Sequence, residues 1–203
     1  MKFLKIELAA LIAFVICIAL STYKLDSECD GIRENVLRLH VIAASDSSYD
    51  QQIKLELRDS LLSKGKEIFS GSETKKEAEK KISDGISLMQ NEADRFLKSK
   101  GYPHKANVSL GKSFFPTRVY DGFILPAGNY DALKVTIGSG EGQNWWCVMF
   151  PALCLPAAQK NEIDFDGILT EKQQQIITEE KYEVRLWFVE KWQELESFLL
   201  HND

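Results

Sequence analysis

Four hydrophobic patterns follow one another along the chain. The first is an unbroken apolar run from Leu8 to Leu20, LAALIAFVICIAL. The second is an alternation over residues 36–42, VLRLHVI. Leu37, Leu39 and Val41 face one way there, and Arg38, His40 and Ile42 the other, which predicts a half-buried strand. The third pattern is helical. Ile53, Leu57 and Leu61 recur every four residues, with Leu55, Leu62 and Phe69 alongside, so an amphipathic helix runs to about Phe69. Ser48-Tyr49-Asp50-Gln51 fits a capping box at its start. Gly71 breaks this helix. Thr74-Lys75-Lys76-Glu77 is a second box, and Ala78, Ile82, Ile86, Met89, Ala93 and Phe96 step by three or four. They predict one long helix ending near Gly101 and Pro103, with Met89 as core filling.

From Lys105 the period returns to two. Val108 and Leu110, then Leu133, Val135 and Ile137, then Trp146, Val148 and Phe150 mark strands. Pro126-Ala127-Gly128 suits a tight turn, and Gly138-Ser139-Gly140-Glu141-Gly142 reads as the hairpin loop between the last two strands of an antiparallel meander. Residues 155–180 lose periodicity and read as a surface excursion with room for one short helix. Leu186, Val189, Trp192, Leu195 and Leu199 predict a C-terminal helix packing back on the domain. The fold class expected is α+β: a helical hairpin on a mainly antiparallel sheet, with a C-terminal helix.

The flanks of the first run give it a purpose. Lys2 and Lys5 precede it, and Asp26, Glu28 and Asp30 follow. A positive start, a short apolar centre and a polar exit make a secretory signal, and the lysines hold the N-terminus on the side of synthesis. The run is shorter than the roughly 20 apolar residues of a spanning helix, which favours cleavage. Ala19-Leu20-Ser21 offers small residues where a signal peptidase reads. The alternative is an uncleaved anchor in contact with the membrane. The chain therefore divides into residues 1–21, signal peptide or anchor, and residues 30–203, a single exported α+β domain.

Charge narrows the partners. The whole chain carries a formal net charge of −5, and removing Lys2, Lys5 and Glu7 takes the remainder to −6. Nucleic acid needs clustered Lys and Arg, so it is not an expected partner. Lys75, Lys76, Lys80 and Lys81 alternate with Glu73, Glu77 and Glu79 as a solvated helix face does.

Candidate chemistry is sparse. In an oxidising compartment Cys147 and Cys154, which bracket CVMFPALC, suit a local disulfide; two buried free thiols are the alternative, and Cys29 is left over. No Cys or His spacing matches zinc, and no metal or cofactor is expected. The glycine loop lacks the Gly-Lys-Ser/Thr of a phosphate loop and leads into a strand. His40 could pair with Cys147, or with Ser45 and Asp46, but a disulfide would consume the thiol, and the serine group is too local and lacks a nucleophile elbow. Catalytic residues are therefore expected to be none. Trp145 and Trp146 point to opposite faces of a strand; one is core, and the other, if exposed, is a binding anchor.

Two groups of residues carry a family resemblance. One is Leu37-Arg38-Leu39-His40-Val41-Ile42-Ala43-Ala44-Ser45-Asp46 with the helix that follows to Arg58-Asp59. The other is Phe115-Pro116-Thr117, Leu125-Pro126-Ala127-Gly128-Asn129-Tyr130, and Ile137-Gly138 through Asn144-Trp145-Trp146-Cys147-Val148-Met149-Phe150-Pro151 to Cys154. With the short apolar N-terminus these blocks closely resemble the stage II sporulation protein R family of endospore-forming bacteria. The resemblance implies a signalling protein, exported from the forespore into the intermembrane space. There it would activate a membrane-embedded aspartic protease of the mother cell that processes the precursor of sigma factor E. The competing reading is a secreted hydrolase acting on cell wall or peptide. For a protein that works by contact, the candidate partner-binding residues are Arg38, His40, Ser45, Asp46, Asn129, Tyr130, Asn144, Trp145 and Trp146. Strand 36–42 and the 138–146 loop, if adjacent in the sheet, would gather these polar groups around one aromatic anchor.

Overall fold

A computed structural model describes residues 2–69, 71–151, 165–179, 182, 186–191 and 193. Its elements are α1 (Lys2–Asn35), β1 (Leu37–Ile42), α2 (Ser48–Phe69), α3 (Lys75–Asp84), α4 (Ile86–Ser99), β2 (Ala106–Phe115), β3 (Arg118–Tyr120), β4 (Phe123–Leu125), β5 (Gly128–Ile137), β6 (Asn144–Phe150) and α5 (Glu171–Thr178). Residues 186–191 are helical again. The chain divides into two compact units. One holds residues 33–114 and 129–168, the other residues 1–32, 115–128 and 169–203.

The first unit is a helical hairpin on a sheet, as the periodicity predicts. The four strands lie in the order β2-β5-β1-β6. β1 pairs parallel with β5, Leu39 opposite Leu133, and antiparallel with β6, Leu39 opposite Cys147. Leu37, Leu39 and Val41 join Leu133, Val135 and Ile137 on one face. That face packs against Ile53, Leu57 and Leu61 of α2, Ala78 and Ile82 of α3, and Met89, Ala93 and Leu97 of α4. Burying these side chains supplies most of the driving force, each contributing roughly 1.5–3 kcal/mol.

Four local expectations are corrected. The long helix after Thr74 is two helices parted at Gly85, where a Cβ would stand 3.1 Å from both the Ile68 side chain of α2 and the Lys81 carbonyl. Close packing on α2 places the glycine there, and the glycine ends the helix. Thr74 does cap α3, accepting from the Glu77 amide, but the Glu77 carboxylate returns to the Glu73 amide instead of completing the box. The strand pattern after Lys105 is not a meander, because β1 is inserted between β5 and β6. The 138–142 loop must therefore cross the end of β1, covering two strand spacings of about 5 Å rather than one. For the same reason β1 is not half-buried: with a strand on each side, all six of its residues are buried.

The second unit contains α1 as far as Ile32, the β3–β4 hairpin and α5. Asp121-Gly122 turns that hairpin, with Gly122 at φ +85°, a value that glycine adopts freely. α5 lies in the stretch that lost periodicity. It starts with a full capping box between Thr170 and Gln173, and Gln173 is buried rather than part of a surface run. α1 runs unbroken through Ala19-Leu20-Ser21, and its Ile6–Asn35 portion is long and apolar enough to cross a membrane. In sequence and exposure this helix fits a signal peptide or an anchor. Leu186 and Val189 of the C-terminal helical segment are buried, while Trp192, Leu195 and Leu199 lie outside the described residues.

Candidate functional site

The site is assembled where β1 ends and the chain turns into α2. Ser47, one residue earlier than the sequence predicts, caps that helix: its hydroxyl accepts from the Asp50 amide at 3.1 Å. The Ser47 amide donates to Ser45 Oγ at 3.1 Å. Ser45 Oγ donates to Asp50 Oδ2 at 2.5 Å, and the Tyr102 hydroxyl donates to Oδ1 at 2.6 Å. These donors hold the Asp50 carboxyl below the usual carboxylate range. Burial, then the neighbouring carboxylate, pushes the Tyr102 phenol well above its ordinary value.

The glycine loop is tied to this turn from above. The Gly142 amide donates to the Ala43 carbonyl at 3.0 Å, and Ser139 Oγ to the Ala44 carbonyl at 3.1 Å. The Gln143 amide donates to Asp46 Oδ1 at 2.7 Å. Gln51 Nε2 donates to the Ser45 carbonyl at 2.9 Å, and Lys54 Nζ to Gln51 Oε1 at 2.5 Å and the Gln143 carbonyl at 2.9 Å. Lys54 is only 4% exposed, and burial lowers its pKa. Gly142 is required by close approach, since a Cβ there would lie 2.3 Å from the Ser45 carbonyl oxygen. The two loops thus form one braced platform. Its accessible members include Asp46, Tyr49, Glu141, Gln143 and Asn144.

Beside the platform, on the sheet face opposite the helices, lies a polar and aromatic group. His40 stacks on Trp146, ring centroids 3.9 Å apart, with the Asn144 side chain beside it. Arg38 lies over the Tyr130 ring at 4.9 Å. Arg38 and Tyr130 are both fully buried. Burial lowers the His40 pKa to about 4, so its imidazole is neutral near pH 7. Trp145 faces the helix side, where it packs on the core, and the Arg58 guanidinium covers its ring at 4.2 Å. Both tryptophans are half-buried.

Strand 36–42 and the 138–146 segment do adjoin, and the structure brings together Ser45, Asp46, Asn144, Trp146 and His40. Asn129 is exposed but stands near the start of β1, separated from Asp46 by the strand's length, about 20 Å. Arg38, His40 and Tyr130 are buried, so they support the sheet from within. Asp50, Gln51, Lys54, Tyr102, Gly142 and Gln143 were not among the expected site residues. Lys54 carried a signal: a lysine on the same helical stripe as Leu57 and Leu61 must be covered by specific acceptors.

The chemistry of this arrangement is modest. The Ser45 hydroxyl faces a carboxylate of lowered pKa, which is a weak base. His40 is occupied by Trp146 and Asn144 on the other side of the strand. Cys147 is disulfide-bonded; its expected partner, Cys154, lies outside the described residues. Among the described residues no three His, Cys, Asp or Glu side chains gather as a metal site.

Comparison with known proteins covers most of the sheet and this platform. Stage II sporulation protein R of Bacillus subtilis (strain 168) is 36% identical over 126 residues, 61% of this chain and 55% of that protein. The aligned part thus spans about half the length of the relative. No solved structure matches. The profile of the Stage II sporulation protein R (spore_II_R) family matches residues 33–160, a span that contains β1, the α2–α4 helices, all four strands of the sheet and both loops of the platform; the chain belongs to the Stage II sporulation protein R family.

Proposed function

We propose that this protein is an exported sporulation signal that activates, by direct contact, a membrane-embedded aspartic protease of the mother cell. That protease would process the precursor of sigma factor E. The observation that carries this reading is the family match over residues 33–160, which takes in the whole braced platform. The apolar α1 supports a route across the forespore membrane into the intermembrane space. The platform supports contact rather than chemistry. It presents Asp46, Gln143 and Asn144 on a rigid edge, and the carboxylate that meets the Ser45 and Tyr102 hydroxyls, Asp50, has a lowered pKa and is a weak base. A secreted hydrolase would need a nucleophile beside a base, and neither Ser45 nor Cys147 has that arrangement.

The test is reconstitution. Cells expressing the protease and the sigma factor precursor are supplied with this chain, with and without residues 1–21. Processing should need both the chain and its N-terminal segment. Processing that proceeds equally when the segment is deleted and the chain stays in the cytoplasm would contradict export. Processing that never responds to the chain would contradict activation.

A further inference from the structure

In the second unit the C-terminal helical segment lies along α1, and its exposed side is aromatic. Leu186 and Val189 are buried, whereas Trp187 is 53% and Phe188 52% exposed, their rings in edge contact at 5.0 Å. Phe188 lines a recess of about 380 Å³ together with Ile18, Ser21, Thr22 and Leu25 of α1. Further along, Gln193 Nε2 donates to the Asp26 carboxylate at 3.1 Å. From residue 188 to 193 the contact moves from the stretch Cys17–Leu25 to Asp26, so the two helices run in the same direction. The start of the C-terminal segment is then its end nearest the apolar run, and Trp187 and Phe188 sit at the level where Leu20 gives way to Tyr23.

That level has a physical meaning. Eighteen helical steps from Lys5 to Tyr23 rise about 27 Å, close to the roughly 30 Å of a hydrocarbon core. With Lys5 at one boundary, Tyr23, Trp187 and Phe188 lie at the other. Tyr23 is 76% exposed and shares the level. Tyrosine and tryptophan are the residues that favour the membrane–water boundary, because their rings are apolar and their tips polar. The α1 side chains Ile16, Ile18 and Leu20 just below them are also about half exposed or more, as lipid-facing side chains are.

We propose that Trp187 and Phe188, with Tyr23, insert into the boundary of a lipid bilayer. They would form a second membrane contact that holds this unit against the surface from which α1 emerges. The net charge of −5 argues for an apolar contact with the lipid boundary rather than attraction to anionic headgroups. The proposal rests on α1 remaining in the chain as a membrane segment.

The experiment uses the full chain incorporated into phosphatidylethanolamine–phosphatidylglycerol vesicles, with and without lipids brominated near the headgroup end of the acyl chain. The chain has four tryptophans. The wild type should float with the vesicles, and the brominated lipid should quench part of its emission. Trp187→Phe should lower the quenched fraction at least twofold while near-ultraviolet circular dichroism stays native-like. The double variant W187F/F188W should restore it. A chain that fails to float loses the anchor, and with it this contact. A chain that floats but shows the same quenched fraction after Trp187→Phe overturns the contact alone. If Trp187→Phe disturbs folding, acrylamide protection of the wild-type emission by unbrominated vesicles decides instead. No protection would overturn the proposal.

Discussion

The two faces of β1 are equally buried and chemically opposite. Leu37, Leu39 and Val41 meet three helices in an apolar core. Arg38 and His40 are as inaccessible, yet they meet Tyr130, Trp146 and Asn144. Burial alone therefore does not tell the two faces of this sheet apart. The apolar face holds the fold through area removed from water. The polar face is held by ring stacking and a cation over an aromatic ring, its stability depends on the protonation of the buried His40, and it runs into the platform where the strand ends.

The largest difference should come from the apolar face. Leu39→Ala removes a fully buried side chain and should cost about 3–4 kcal/mol, read from urea unfolding at pH 7. A loss below about 1 kcal/mol would mean that the helices do not pack on this face.

On the polar face the corresponding quantity depends on pH. Burial lowers the His40 pKa to about 4, against about 6.5 in an unfolded chain. Between these values the unfolded state binds the extra proton, so stability is complete above the unfolded pKa. It declines as pH falls through that window and levels off below about 4, by about 3 kcal/mol at most. His40→Gln should remove this part of the pH dependence. An equally steep decline in the variant between pH 6.5 and 4 would place its source elsewhere.

The platform should respond less. Gly142→Ala puts a Cβ against the Ser45 carbonyl and should cost about 2 kcal/mol. Faster amide exchange at Gly142 and Gln143 should accompany the loss, while the helices keep their protection. Exchange unchanged in the loop would show that it is not braced as described.

The sequence made these two faces unequally legible. Alternation in VLRLHVI assigned Leu37, Leu39 and Val41 to the core correctly, because period two needs no knowledge of neighbours. It could not show that Arg38 and His40 are buried too, since that follows from β1 lying between β5 and β6. Parallel pairing of β1 with β5 brings together residues nearly a hundred positions apart, and no local pattern records it. The glycine loop was visible as a loop, but its task of crossing β1 was not. Gly85 hid in the opposite way: a single glycine inside a good helical stripe reads as tolerated until Ile68 is seen beside it. Of the site, Ser45, Asp46, Asn144 and Trp146 were legible as family blocks. Their braces were not, because Tyr102 and Lys54 act from other elements.

The smallest effect on stability should come at the accessible edge of the platform, where the proposed contact is made. Asp46→Asn keeps the acceptor oxygen used by the Gln143 amide, removes the charge that favours protonated Lys54, and should cost about 1 kcal/mol. The decisive measurement is precursor processing as this variant is titrated from low to high expression alongside the wild type. A contact surface predicts weakened processing at low levels and recovery toward the wild-type maximum at high levels, because binding energy lost at one contact is restored by mass action. A folded Asp46→Asn chain that still binds the membrane protease yet remains inactive at every level would contradict the contact account and give Asp46 a chemical role.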